Sequence, residues 1–343
     1  MRAAIFNGVG SPLEIAERPT PLLREGDVLV RVAFCGICGS DLHAAADASM
    51  GLAAGAVMGH EFSGEIVESA APNHPVGERI CGIPLQECED CRPLGACRRG
   101  LGMVCPGNKV IGLSNSADGA YAEFVRIGAS RAVPLPDNVS LEHGALVEPL
   151  AVASHALARI GAVSGVDILI VGAGPIGLAV TMLARASGAR SLVVSEPHPG
   201  RRGRALRLGA TAAIDPSSQE LRQAFRAATG ASPSMVFECS GVSGMLQHCI
   251  DAAAIRASIV VVGVASRPEP IIPASALFKE ITLSFALGYD GADFHHVIDL
   301  MRKGALDLDG YISRIVSFGE LPKTFADMRH ANPGAKVLID PRR

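Results

Sequence analysis

Between Cys88 and Cys105 the chain reads CEDCRPLGACRRGLGMVC, four cysteines in eighteen residues. Cys88 and Cys91 form a C-x-x-C pair, Cys97 follows, and Cys105 closes the segment. Four thiolates without a histidine suit a closed, tetrahedral zinc site, which keeps no coordination position for a substrate. Its expected task is to pin a loop that has few apolar residues to fix itself. The alternatives are unliganded thiols on a loop and a redox pair, and the redox pair lacks a thioredoxin-like context. The N-terminal MRAAIFNGVG has no signal-peptide pattern, so nine cysteines are not expected to form a disulfide framework.

An open metal site needs donors of other kinds. FCGICGSDLH, VMGHEFSGE and GALVEPLAVASHA contribute Cys38, His60 and Glu148, a thiolate, an imidazole and a carboxylate. Three protein ligands with a fourth position for water or substrate is the pattern of catalytic zinc. Each residue alone has a plainer reading: a histidine in MGHEF packs in a core, and an acid before proline caps a helix. A second chemistry lies in VDILIVGAGPIGLAVTMLARASGA. Gly172, Gly174, Pro175, Ile176 and Gly177 stand between a strand pattern and a helix pattern, as a dinucleotide-binding turn requires. Glu196 ends the next strand pattern, 24 residues after Gly172. A carboxylate there accepts ribose hydroxyls and repels a 2′-phosphate, which favours NAD over NADP. Arg201 and Arg202 follow closely and keep NADP as the alternative.

With these residues together, the chain resembles the zinc-dependent medium-chain alcohol dehydrogenases, and within them the polyol and butanediol dehydrogenase branch. The resemblance runs end to end, through CGICGSDLH, GHEFSGEIVE, the cysteine loop, GAYAEFV, EPLAVASHA, VGAGPIGL, FECSGV and KVLIDP. It implies two zinc ions, one catalytic and one structural. It implies that Cys38 and His60 bind the catalytic ion, that Glu61 approaches it in some states, and that Glu148 is a ligand or a close partner of one. The order of Glu61 and Glu148 stays open. It further implies that Ser40 hydrogen-bonds the alcohol oxygen, that His43 passes the proton to solvent, and that Asp41 orients the histidine. The local alternative for Ser40 and Asp41 is a cap on a helix beginning at Leu42. The implied reaction is hydride transfer between an alcohol and the nicotinamide. A Lewis-acidic ion assists it by lowering the pKa of the bound oxygen, as zinc lowers that of water to about 7.

Two departures from the family pattern bear on this. Leu94 occupies the usual place of the third thiol, so Cys97 comes three residues late and Cys81 becomes a competing donor. MGLAAGAVMGHE replaces a proline-rich entry beside the substrate pocket of relatives. Residues 44–58, AAADASMGLAAGAVM, are mostly small and apolar. They favour a secondary alcohol, diol or hydroxyketone of modest polarity over a long sugar alcohol.

The elements that must position these residues have two textures. To about residue 135, DVLVRVAF, SGEIVESA, GERICGI and AYAEFVRI are short period-2 runs between glycines and prolines, the pattern of a bent β-barrel. From about 150, VDILIVGAG, RSLVVSE, SMVFECSG and ASIVVVGV alternate with helical segments, which predicts a doubly wound parallel sheet. HHVIDLMRKG and ELPKTFADMRHA read as helices and KVLIDP as a strand that can return to the first domain. The expected fold is α/β, with a GroES-like catalytic domain over residues 1–150 and 290–343 and a Rossmann domain over 151–289.

The 343 residues, 48 % hydrophobic with a net charge of −3, give no electrostatic reason for a nucleic-acid partner. Apolar runs are broken well short of the ~20 residues that cross a bilayer, so no membrane partner and a cytoplasmic location are expected. By family analogy a homodimer or homotetramer is expected, paired through the apolar ITLSFALG. Three other functions are weighed: an NADPH-linked zinc reductase, opposed by Glu196; a zinc-free quinone reductase, opposed by Cys38 and His60; and a non-enzymatic dinucleotide-binding protein.

Overall fold

The computed structural model describes residues 1–86, 88, 95–97, 101–265, 267–330 and 334–343. They form two compact units, one of Met1–Glu148, Asp290–Arg302 and Ile312–Arg343, the other of Pro149–Tyr289 and Lys303–Tyr311.

The first unit is organised by the ten-residue strand Asp27–Gly36, DVLVRVAFCG, whose β-branched residues suit a pleated, buried surface. It pairs antiparallel with Glu61–Ser69, with Phe124–Gly128 and with Lys336–Asp340. Register shifts between Leu29 and Val30 and between Val32 and Phe34 let one strand serve three neighbours, because bulges bend and twist a strand. Arg79–Gly82, Ala132–Pro134 and Ile312–Ser317 complete a seven-stranded sheet. The strand Lys336–Asp340 thus brings the tail back into the first unit's sheet.

Register decides what meets at the end of this sheet. Gly36 stands opposite Glu61 on one side and Leu338 on the other. The chain leaving toward Cys38, the chain entering through His60 and the start of Lys336–Asp340 therefore converge. The cysteine segment is a separate excursion. Its ends are held by the antiparallel pair Leu85–Gln86 and Lys109–Val110.

The second unit is a six-stranded parallel sheet in the order Ala212–Ile214, Ser191–Ser195, Asp167–Val171, Met235–Glu238, Ser258–Val261, Thr282–Phe285. Asp167–Val171 is buried along its whole length, as a strand covered on both faces must be. The order reverses direction beside it, and the crevice beyond the carboxyl ends of such strands is where doubly wound sheets take ligands. Lys303–Tyr311 packs into this unit: the Tyr311 hydroxyl donates to the Pro175 carbonyl at 2.9 Å, and Arg204 Nη1 donates to that of Gly310 at 3.2 Å. Among the described residues no helix is long and apolar enough to cross a membrane.

The turn after Asp167–Val171 is tight. A Cβ on Gly177 would lie 1.9 Å from the Gly172 carbonyl oxygen, so helix Pro175–Ala186 can approach the strand this closely only with glycine there. Gly177→Val is expected to destabilise the protein by about 1–3 kcal/mol through overpacking. Urea unfolding measures this, and an unchanged midpoint would show that the helix has room to move.

Candidate active site

Cys38 caps the short helix Gly39–Ala44, and its N–H donates to Asp41 Oδ2 at 3.1 Å. The helix thus starts three residues before Leu42, with Cys38 rather than Ser40 or Asp41 at the cap. Asp41 sits in the first turn, where its carboxylate satisfies an N–H that would otherwise have no partner. His60 precedes the strand Glu61–Ser69 and follows Gly59, whose φ of +93° and contact with the Tyr121 ring leave no room for a side chain. Cys38, His60 and Glu61 each offer a ligand atom, and these three lie within 4.8 Å of one another.

The electrostatics favour a cation at this place. Asp41 Oδ1 and His60 Nδ1 face each other at 3.3 Å, buried and without an aligned hydrogen bond. Nδ1 is thereby committed to the carboxylate and Nε2 is turned to the other side, where Ser40 Oγ lies 3.3 Å away. Burial disfavours a charged His60, but the Asp41 carboxylate and then Cys38 outweigh it and push its pKa well above the usual value. Burial likewise raises Asp41, yet His60, the Tyr121 hydroxyl and the Cys38 N–H bring it below the ordinary carboxylate range. As ligands to a metal ion, a Cys38 thiolate and a neutral His60 beside Asp41, Glu61 and Lys336 would carry three negative charges and one positive. A divalent ion cancels the remainder. Thiolate, imidazole and carboxylate together are a zinc donor set.

Glu61 has a second partner. Lys336, 1 % exposed, donates to both carboxylate oxygens, at 2.6 Å to Oε2, and to the Ile37 carbonyl at 3.3 Å. Glu148 lies buried in the first turn of helix Val147–Ile160, outside the group of three. His43 is exposed on helix Gly39–Ala44 and is also outside that group. Neither Lys336 nor Tyr121 was singled out from sequence. Lys336 opens a strand that otherwise reads as apolar, which is the one signal of an unusual role.

The Cys88, Cys97 and Cys105 sulfurs form a second group, again within 4.8 Å of one another, while Cys91 lies outside the described residues. Cys97 joins it despite the lengthened spacing. Cys81 does not: it is 1 % exposed in the strand Arg79–Gly82. Two thiolates on one tetrahedral zinc stand roughly 3.8 Å apart, so the three sulfurs need only small shifts to share an ion. A Cβ on Gly107 would meet Cys88 Sγ at 2.4 Å, so this residue also leaves the sulfur its space.

In the glycine turn, Gly172 has φ of +96° and Gly174 caps helix Pro175–Ala186, with Pro175 and Ile176 in its first turn. A Cβ on Gly174 would meet nothing within 4 Å, leaving open space before the helix N–H groups for a phosphate. Glu196, 4 % exposed, accepts from the Ala173 N–H at 2.9 Å through Oε2 and from the His198 N–H at 3.0 Å through Oε1. Arg201 Nη1 stands 3.8 Å from Oε1. Arg202 is engaged elsewhere, with the Glu196 carbonyl at 2.7 Å and Asp215 at 3.0 Å.

Comparison with known proteins agrees with this geometry. Residues 24–137 match the alcohol dehydrogenase GroES-like domain and residues 175–303 the zinc-binding dehydrogenase domain. An L-threonine 3-dehydrogenase of Rhizobium etli is 32 % identical over 99 % of this chain and 98 % of its own. The chain belongs to the zinc-dependent medium-chain alcohol dehydrogenases. Among solved structures, 2R,3R-butanediol dehydrogenase from Bacillus subtilis superposes with a TM-score of 0.89 at 28 % identity, covering 99 % of both chains. A zinc-binding dehydrogenase from Sinorhizobium meliloti 1021, bound to NADP, gives 0.89 at 30 % identity, also covering 99 % of both. This dehydrogenase is therefore an alcohol-type oxidoreductase that works with zinc and a nicotinamide cofactor.

Removing the cation from Glu61 leaves a buried carboxylate without a counter-charge. Lys336→Met is expected to cost about 3–5 kcal/mol of stability, and Glu61→Gln/Lys336→Met to recover most of it. Chemical denaturation of the two variants decides; equal losses would mean that the pair is not the source.

Proposed function

We propose that this dehydrogenase moves hydride between a secondary alcohol, diol or hydroxyketone and NAD. The observation that carries the reading is the convergence of Cys38, His60 and Glu61 at one end of a sheet, with Ser40 Oγ beside His60 Nε2. Cys38 and His60 would hold zinc, with Glu61 or Glu148 as the acidic donor. Bound there, the ion would supply Lewis acidity that makes an alcohol oxygen give up its proton near neutral pH.

The remaining roles fall to the chain itself. Ser40 Oγ would hydrogen-bond the alcohol oxygen and relay its proton, giving up its own through the nicotinamide ribose to His43, which is exposed on the same short helix and would release it to solvent. Asp41 keeps the His60 ring in one orientation. Gly172, Gly174, Pro175, Ile176 and Gly177 form the pyrophosphate turn, and Glu196 receives the adenosine ribose with its remaining lone pairs. Cys88, Cys91, Cys97 and Cys105 would hold a second, structural zinc. Residues 1–150 and 290–343 would serve catalysis, apart from Lys303–Tyr311, which packs with the parallel-sheet unit, and 151–289 the cofactor. The protein would be cytoplasmic, and a homodimer or homotetramer fits an edge strand, Thr282–Phe285, whose Phe285 is 64 % exposed, with Leu287 just beyond it 56 % exposed. The second reading, an NADPH-linked zinc reductase, is favoured by Arg201 standing next to Glu196 and by the NADP-bound neighbour.

Cys38→Ala is expected to lower kcat/KM by about a thousandfold, the equivalent of several kcal/mol of lost Lewis-acid assistance, and chelation to act alike. Full-speed turnover by that variant would end the proposal. Initial rates with butane-2,3-diol, simple secondary alcohols and sorbitol, each with NAD and with NADP, test substrate and cofactor together. The small apolar segment 44–58 and Glu196 lead to the expectation of butane-2,3-diol and NAD; a clear preference for sorbitol overturns the first and one for NADP the second.

A further inference from the structure

Tyr121 has no exposed surface, yet its hydroxyl is placed with purpose. It donates to Asp41 Oδ2 at 2.7 Å, the oxygen that also receives the Cys38 N–H. With Oδ2 occupied twice, Oδ1 is the oxygen left to face His60 Nδ1. The same stretch grips the histidine's approach through its backbone. The Tyr121 N–H donates to the Met58 carbonyl at 2.8 Å, the Ala120 N–H to that of Gly59 at 2.8 Å, and the Gly119 N–H to that of Val57 at 2.8 Å. The ring lies against Gly59 and edge-on to Phe325, with centroids 6.4 Å apart. One residue therefore ties together the turn that carries Cys38 and the turn that carries His60.

We infer that Tyr121 is a positioning residue for the metal centre, acting through Asp41 on His60. The inference rests on the reading of Cys38 and His60 as metal ligands. The Tyr121 hydroxyl polarises and orients Asp41, which in turn holds Nδ1 and leaves Nε2 as the donor to the ion. Losing an outer partner of a ligating histidine typically costs about 10–100-fold in metal affinity.

Tyr121→Phe keeps the ring against Gly59 and Phe325 and removes only the hydroxyl. The full-length protein, reconstituted with Co2+, is mixed with excess chelator, and metal loss is followed by ligand-field absorption. The mixed thiolate–imidazole site and the all-thiolate cysteine site have separate bands. The expected result is release from the Cys38–His60 site at least about tenfold faster than in the unsubstituted protein, with release from the cysteine site unchanged. Equal rates from the Cys38–His60 site overturn the inference. So does an equal acceleration at both sites, which would mark the hydroxyl as general structural support. Thermal unfolding of the metal-free variant guards against misfolding, and a single cooperative transition at a somewhat lower midpoint, from the lost hydrogen bond to a buried carboxylate, is expected. A Cys38→Ser control that binds as much metal as the unsubstituted protein overturns the metal-site reading, and this inference with it.

Discussion

A carboxylate with no exposed surface stands at the junction of the segments that carry Cys38 and His60. Asp41 must be charged to orient an imidazole, and a buried charge is tolerable only when its hydrogen-bonding capacity is met. Two segments donate to it, the Cys38 N–H from its own turn and the Tyr121 hydroxyl from the stretch that runs beside Gly59, and His60 before Glu61–Ser69 faces its other oxygen at 3.3 Å. The requirement acts as a constraint on distances. None of the three segments can drift without leaving Asp41 short of a partner, so the charge that is costly to bury also keeps the donors in place.

The pair of Glu61 and Lys336 works beside it under a different rule. Buried ion pairs are weak sources of stability, but breaking one leaves an uncompensated charge, so they specify an arrangement more than they strengthen it. Here the arrangement is the return of the last strand to the sheet, because Lys336 finds its counter-charge only when Leu338 lies opposite Gly36. Glu61 thus has an ammonium already in contact, while its carboxylate also lies within reach of Cys38 and His60. Lys336 tempers the negative charge that Asp41 and Glu61 would otherwise concentrate, while leaving enough of it to attract a divalent cation.

What could be read from the sequence follows from how local each requirement is. The glycine turn was legible because its demands lie within six residues: a positive φ at Gly172, open space at Gly174 and closeness at Gly177. Cys38 and His60 were legible as donor types in short motifs, and their meeting follows from the pairing of the strands that flank them. Tyr121 and Lys336 were not. Tyr121 lies 80 positions from Asp41, and Lys336 lies 275 from Glu61. Before the register is known, a tyrosine in GAYAEFV is an aromatic core residue and a lysine before VLID is a solvated strand end. The alternative of a cap on a helix beginning at Leu42 falls away, since the helix begins at Gly39 behind Cys38 and Asp41 caps from inside the first turn.

The two cysteine-bearing centres tolerate change differently, and the backbone says why. The segment with Cys88, Cys97 and Cys105 leaves and rejoins the fold through a single short strand pair, so its interior length is free as long as the sulfurs can converge. Cys97 still joins Cys88 and Cys105 although it comes three residues late. Cys38, His60 and Lys336 have no such freedom. Each stands within two residues of a strand position paired across the same sheet end, and one inserted residue would rotate a side chain to the opposite face. The Cys38, His60 and Glu61 group is therefore fixed by the register of the sheet, whereas the cysteine group is not.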